Sequence, residues 1–455
     1  MAGDGDERAY ADALAAKDYA RALALAEKRK GRSYGAQRGR WQGRVATALV
    51  MLGRHREARE AYLAARERTR LTAGDLYNLG ICCNEIARYE EAVDAYRGAA
   101  ALAPREASIR NNLGKTLNQI GRHAEAEESL RLAISLSPEH HGARLNLAMN
   151  LLARGDWAAG WPLFEARRQV FDVLPAMPYP AWDGRPQRDR LLLLRAEQGL
   201  GDSIQFGRFA STLGAAGQPV IVQADPRIVA LLKTLPKVVD VISTAQSLQS
   251  TRHPIDWAPL LSVPGMLGVT PSTIPWTGPY LSADPTRVAR WRTWLPQDGL
   301  QIGIGWQGNP AGEVDRGRSF PLALFAAVAA IPSVSLVALQ KGSGLEQRHT
   351  VPFGKTIHLP GSEFDTGNNA FLDTAALMAS LDLVVTSDTA IAHLAGALGR
   401  PTFLALQRWP DWRWLLDRDD TPWYPSVRLF RQSEPGDWAG VFERIAAAIR
   451  SMVKQ

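Results

Sequence analysis

Apolar positions return along this chain with two different rhythms. Over the first third the period is 34 residues. Leu79, Leu113 and Leu147 share one register, Gly80, Gly114 and Ala148 the next, and Tyr89, His123 and Trp157 a third. Ala92 pairs with Ala126, Pro104 with Pro138, and His55, Ala58 and Tyr62 fall one period earlier. This spacing predicts a stack of helix pairs. Small residues such as Gly80, Gly114 and Ala92 let two helices approach, and large ones such as Leu79 and Tyr96 fill the space between. Pro104 and Pro138 stop each second helix, because proline lacks the N–H that a further turn needs. Past Arg168 the rhythm changes to short apolar runs alternating with amphipathic stretches. "RLLLL", "PVIVQ" and "VVDVIS" form one series. "QIGIGW", "VSLVALQ", "KTIHLP", "DLVVTS", "PTFLAL" and "VRLFRQ" form another, and the Pro- and Trp-rich stretch 253–294 separates the two. Fully apolar strands alternating with helices predict parallel sheets covered on both faces.

The repeat resembles the tetratricopeptide repeat, a helix-turn-helix unit. Three clear copies run from about residue 38 to 138, a degenerate one precedes them, and "ARLNLAMNLLARGDWAAGWPLFEARR" reads as a closing one. Such stacks offer a curved surface for peptides or proteins, or act as a spacer or dimerisation surface. The expected organisation is a repeat solenoid over 1–170, a proline-rich linker over 171–189, a Rossmann-like domain over 190–298 and a second one over 299–455. The fold class is therefore a helical solenoid followed by a pair of α/β domains.

Composition narrows the setting. No apolar run reaches the roughly 20 residues a membrane helix needs. The N-terminal "MAGDGDERAYADAL" is acidic and has no apolar core, unlike a signal peptide. The only two cysteines, Cys82 and Cys83, are adjacent and read as packing residues of a reduced protein. A cytoplasmic location is the expectation. The net charge of +7 comes from arginines spread along the chain, without a basic-aromatic stripe, so nucleic acid is not an expected partner.

Two stretches carry candidate chemistry. "EQGLGDSIQF", residues 197–206, follows the first strand of the first α/β series and places Asp202 between a glycine turn and a helix. Asp202 is either a helix cap or a general base. "LVVTSDTAIAHLAGALGRPTF", residues 383–403, ends a strand at a polar turn of Ser387, Asp388 and Thr389. Backbone N–H groups at the following helix start suit a phosphate. Asp388 would repel one there, which points it to capping or to sugar hydroxyls, and His393 lies one turn on. Loop 307–321 brings Asn309, Arg316, Arg318 and Ser319. Arginines suit bidentate phosphate binding, and are also common on open loops. "DRDD", residues 417–420, contains a DxD pattern but reads as loop or cap, and Trp412, Trp414 and Trp423 as ligand-facing surface or core.

"SDTAIAHLAGALGRPTF" resembles the donor-phosphate segment of bacterial ADP-heptose:lipopolysaccharide heptosyltransferases, and "GLGDSIQF" resembles that family's N-terminal loop. "RSFP" sits where the family has a phosphate-binding lysine, here Arg318. With the repeats, the whole chain resembles bacterial TPR-containing glycosyltransferases with a heptosyltransferase-like half, and its layout parallels the O-linked N-acetylglucosamine transferases. The resemblance implies a GT-B fold and an inverting transfer from a nucleotide sugar, with Asp202 as base and no metal or other cofactor. It implies a donor wall of Trp306, Asn309, Arg316, Arg318, Gln340, Lys341, Ser387, Asp388, Thr389, Ala390 and His393. An acceptor-side loop would hold Gly199, Gly201 and Gln205. The acceptor would be a protein chosen by the repeats, or a surface glycan with the repeats as docking module; a non-catalytic scaffold is the third reading.

Overall fold

The computed structural model describes residues 4–171, 177–246, 248, 253–310, 315, 317–367 and 369–453. The chain forms two compact units, Met1–Asn150 and Leu151–Gln455.

The first unit is helical. Its helices are α1 (Asp4–Ala15), α2 (Tyr19–Gly31), α3 (Gly35–Met51), α4 (His55–Arg66), α5 (Ala73–Glu85), α6 (Tyr89–Leu102), α7 (Ala107–Gln119) and α8 (His123–Leu136). α9 (His141–Ala153) contains the point of division. The register glycines do what the repeat pattern implies. A Cβ on Gly80 would lie 2.5 Å from the Tyr96 ring, and one on Gly114 would lie 2.5 Å from Leu130 Cγ. Each glycine thus admits the large residue of its partner helix, and any side chain there would push the pair apart. Cys82 and Cys83 are buried and unbridged. Burial pushes the Cys82 thiol up to about 12, so it stays protonated and packs as a small hydrophobe.

The second unit begins with α10 (Trp157–Phe164) and α11 (Arg167–Phe171). The periodicity assigns Trp157 and its helix to the solenoid, within an expected boundary near residue 170. The division instead falls after Asn150, and the reason is aromatic packing. Trp157 stacks on Trp423 with centroids 5.4 Å apart, and Trp161 and Phe164 meet Trp412 edge-on.

Two parallel sheets follow. The first has β1 (Leu191–Arg195), β2 (Val220–Ala224), β3 (Asp240–Ser243) and β4 (Ile255–Pro259) in the order β3-β2-β1-β4. The second has β5 (Leu300–Gly305), β6 (Val334–Ala338), β7 (Leu383–Ser387), β8 (Thr402–Leu406) and β9 (Val427–Arg431) in the order β6-β5-β7-β8-β9. All their pairings are parallel. The fold is thus a repeat solenoid followed by Rossmann-like parallel sheets. β4 lies inside the Pro- and Trp-rich stretch, where prolines at both ends disguise it. "KTIHLP" forms no strand; His358 contributes an isolated bridge to Val337. The helices expected after "PVIVQ" and "QIGIGW" shrink to α13 (Val229–Leu232) and α16 (Ala326–Ala329). The remaining helices are α12 (Leu200–Ala215), α14 (Val263–Met266), α15 (Pro285–Trp294), α17 (Leu372–Met378), α18 (Ala390–Ala397) and α19 (Trp438–Val453). Strand order reverses beside β1 in the first sheet and between β5 and β7 in the second. Crevices at the carboxyl ends of such strands are where open α/β sheets bind ligands.

Candidate active site

Both reversal points open into one cavity of ≈280 Å³. The β1–α12 corner gives Gly199, Gly201 and Asp202, the loop after β5 gives Asn309 and Arg318, and the β7–α18 corner gives Asp388, Thr389, Ala390 and His393. A second cavity of ≈460 Å³, lined among others by Gln340 and Lys341, meets it at Gly308, Asn309, Thr389 and Ala390.

The β1–α12 corner turns through Gln198, whose φ of 62° is left-handed. Beneath it lies a buried polar cluster. Fully buried Arg167 donates to Glu197 Oε1 at 2.6 Å, to Ser262 Oγ at 2.7 Å and to Glu165 Oε1 at 2.7 Å. Burial raises the Glu197 carboxyl despite the Arg167 guanidinium. Past the turn, Asp202 Oδ2 accepts the Gly199 backbone N–H at 2.9 Å. Asp202 thus stands in the first turn of α12 and ties back the N–H of the N-cap residue, Gly199. Its other oxygen accepts from Arg413 Nη2.

Arg413 and Asp411 escape the sequence reading and hold the site together. Arg413 donates to Gln205 Oε1 at 2.7 Å and to Asp411 Oδ1 at 2.9 Å. Arg318 reaches Asp411 Oδ2 at 3.1 Å and Asp388 Oδ2 at 3.5 Å. The result is a chain Asp202–Arg413–Asp411–Arg318–Asp388, with three carboxylates against two guanidiniums. Burial alone would raise the Asp411 carboxyl, but Arg413 and Arg318 hold it down at about 2. Burial raises the Asp388 carboxyl, only partly offset by Arg318, and Asp411 adds to the rise. Asp388 is thus readier to take a proton than Asp411.

On the opposite wall α18 starts at Thr389, and no side chain caps it. Ser387 Oγ is buried without a hydrogen-bond partner. His393 shares a hydrogen bond of 3.1 Å with the Tyr424 hydroxyl and stacks on Trp414 at 5.4 Å. Burial, reinforced by the Arg413 charge, pushes its imidazole down to about 3. His393 is neutral at physiological pH.

Other expected residues sit differently. The Trp306 side chain is wholly buried in the core of the second sheet, its Nε1 donating to the Gly344 carbonyl at 3.1 Å. It lines neither cavity, because an apolar ring ending a buried strand is taken up by the core. Gln205 is not on a loop but inside α12, fully buried against Arg413. Gly201 brings α12 close to α18. A Cβ there would lie 3.2 Å from His393 Cδ2 and 3.3 Å from Ala390 Cα. Gln340 accepts from the backbone N–H groups of Trp306 and Gln307, and Lys341 Nζ donates to the carbonyls of Phe364 and Asp365. Both side chains shape the second cavity's rim through backbone contacts. Arg316 lies outside the described residues. Trp412, Trp414 and Trp423 are buried core, and Arg418 of the DxD stretch pairs with Asp420. Among the described residues no group of three or more His, Cys, Asp or Glu side chains is arranged to hold a metal ion, and no helix is long and apolar enough to cross a membrane.

A tetratricopeptide repeat family model matches residues 44–107 and 85–141. A model of glycosyltransferase family 9 (heptosyltransferase) matches residues 367–406, the segment that holds β7, α18 and β8. Protein FlbA of Caulobacter vibrioides is 30% identical over 324 residues, which are 66% of this chain and 53% of FlbA. The chain thus spans about half the length of that relative. Among solved structures, a crystal structure of MamA aligns at 19% identity over 35% of this chain and 93% of MamA, with a TM-score of 0.33. YrrB, described as a TPR protein with an unusual peptide-binding site, aligns at 17% identity over 35% of this chain and 82% of its own, with a TM-score of 0.32. The chain thus carries tetratricopeptide repeats in its first unit and, in its second, a segment similar to glycosyltransferase family 9.

Proposed function

We propose that the second unit transfers a sugar from a nucleoside-diphosphate sugar to an acceptor hydroxyl, with inversion at the anomeric carbon. The supporting observation is the shared cavity, where the β1–α12 corner offers a carboxylate, the loop after β5 offers Arg318 and the β7–α18 corner offers a helix start that no side chain caps. In this reading the diphosphate lies at Gly308, Asn309, Thr389 and Ala390, where the two cavities meet. The nucleoside then occupies the larger cavity and the sugar points toward Asp202. Asp202 exchanges Arg413 for the acceptor hydroxyl and takes its proton. The acceptor oxygen forms the new bond to the anomeric carbon as the bond to the diphosphate breaks. The electron pair leaves with the diphosphate, and Arg318 and the α18 N-terminus stabilise its charge. Because FlbA is nearly twice as long as the match, the acceptor is argued from the repeats alone: a protein segment bound by the solenoid, modified on a hydroxyl.

The test is mass spectrometry of candidate acceptor proteins incubated with the complete chain and a panel of nucleotide sugars. The expected result is a mass increment of one sugar, absent with Asp202→Ala. Modification of a glycan but of no protein would replace the protein acceptor. Full modification by Asp202→Ala would remove Asp202 from the mechanism.

A further inference from the structure

A further hollow in the second unit shares no lining residue with the two cavities above. It measures ≈810 Å³ and lies between β9, α19 and the loop after β8. Arg408, Arg418, Arg428, Arg431 and Arg444 line it, against only Asp417 and Asp419.

Most of these cations are poorly neutralised. Arg408 meets Asp417 only at 3.8 Å, and that carboxylate is largely exposed. Arg418 is paired with Asp420 at 2.5 Å. Arg428 lies over the Phe430 ring at 5.0 Å. Arg444 spends one donor on the Arg431 carbonyl at 2.6 Å. Arg431 is the sharpest case. Its Nη2 donates to the Trp414 carbonyl at 3.2 Å, while its Nε and Nη1 are buried with no hydrogen-bond partner. Burial, with the nearby Arg408 charge, lowers its guanidinium to about 10. Unpaired buried donors on a cation are costly to fold around, and an anion supplied from outside relieves that cost.

We propose that this hollow is a second ligand site of the protein, taking a soluble oligophosphate such as a diphosphate group. Several guanidinium forks around one concave surface match an anion with oxygens on more than one phosphorus, since each fork takes two of them. The local excess of positive charge matches such an anion better than a single carboxylate. The loop after β8 also links this hollow to the first cavity. Asp411 and Arg413 lie on it between Arg408 and Asp417, and Arg431 holds the carbonyl of Trp414, next to Arg413. A ligand here grips the loop that carries the ion-pair chain of the first cavity.

Calorimetric titration of the complete chain with pyrophosphate tests this, because pyrophosphate is also a probe of the first cavity. The expected result is two binding events per chain. Arg318→Ala should remove one. The double variant Arg428→Ser with Arg444→Ser alters two exposed side chains and should fold normally. It should weaken the other event about tenfold or more and flatten its dependence on salt. Arg431→Gln should do the same, and the double variant keeps the test valid if that protein folds poorly. One event only, abolished by Arg318→Ala, would overturn the proposal. So would a second event that none of these arginine changes weakens. An event that survives Arg318→Ala but is lost in the double variant supports this site even if the donor reading fails.

Discussion

At the end of β1 the chain turns into α12, and Asp202 folds back to accept the Gly199 N–H at 2.9 Å. At the end of β7 it turns into α18, and no side chain caps the helix. Both corners are strand, turn and helix start, and both open on one cavity. The first corner turns its Gly199 N–H to its own carboxylate and presents that carboxylate to the cavity. The uncapped corner keeps its N–H groups for something else and draws positive charge from Arg318. Asp388, which a sequence reading takes for a cap, turns to Arg318 instead. The same local architecture thus yields two different walls: one keeps its carboxylate tied to its own backbone, and the other keeps an open helix start beside Arg318 from the loop after β5.

The largest expected effect tests the acidic wall. Asn at position 202 keeps an oxygen that can accept the Gly199 N–H. Arg413 keeps Asp411 as partner. Asp202→Asn should therefore leave thermal unfolding nearly unchanged and lower turnover by about 10²–10⁴-fold, the usual contribution of a general base. Near-normal turnover would make the two corners differ in charge but not in chemistry.

The next test concerns what joins the walls. Arg413 bridges Asp202 of the first α/β series and Asp411 of the second, and its side chain is only 10% exposed. Arg413→Gln would leave Asp202, Asp411 and Asp388 with Arg318 alone. Breaking a buried ion pair from one side costs about 3–5 kcal/mol, because uncompensated charge stays behind. Urea unfolding should show that loss. A change below about 1 kcal/mol, the range of surface pairs, would mean that water already screens the network.

This bridge also marks the limit of sequence reading. The repeats were readable because their packing is local: Gly80 meets Tyr96, 16 positions on, and the 34-residue period records it. The two glycine corners were readable because a turn and a helix start are local too. The Asp202–Arg413 contact spans 211 positions, and nothing near "DWRW" signals it. Trp306 misled for the converse reason. Its place after a buried strand suits a cleft as well as a core, and only the packing decides. β4 was hidden by its own flanking prolines, and Trp157 by a period that it matches while its ring packs on Trp423.

The basic wall is sharpened by Arg318→Ala. Its guanidinium is held charged chiefly by Asp388, with burial opposing and Asp411 helping. A charge-assisted contact of this kind contributes about 2 kcal/mol, so affinity for the correct nucleoside diphosphate should fall about 30-fold. Unchanged affinity would leave the α18 N-terminus as the sole source of positive potential on that wall.

The smallest effect asks whether His393 adds charge to the basic wall. Its folded pKa of about 3 lies below the ordinary 6.5, through burial first and the Arg413 charge second, with Arg318 and Arg208 acting the same way and Asp411 opposing. Tyr424 holds Nδ1 and Trp414 covers the ring. Between these two pH values the unfolded chain binds a proton that the folded chain refuses. Stability should therefore fall as pH drops from about 6.5, by about 1.4 kcal/mol per pH unit, and should not depend on this group above it. Asp388 acts in the other sense, since its raised folded pKa makes the folded state take up a proton as pH falls. The useful quantity is therefore the difference between the wild type and His393→Gln, in which Asp388 largely cancels. Urea unfolding at pH 7.5, 6.0 and 5.0 should show the wild type losing stability faster than the variant. Equal slopes would mean that His393 takes its proton in the folded protein, and that the α18 wall carries a second cation beside Arg318.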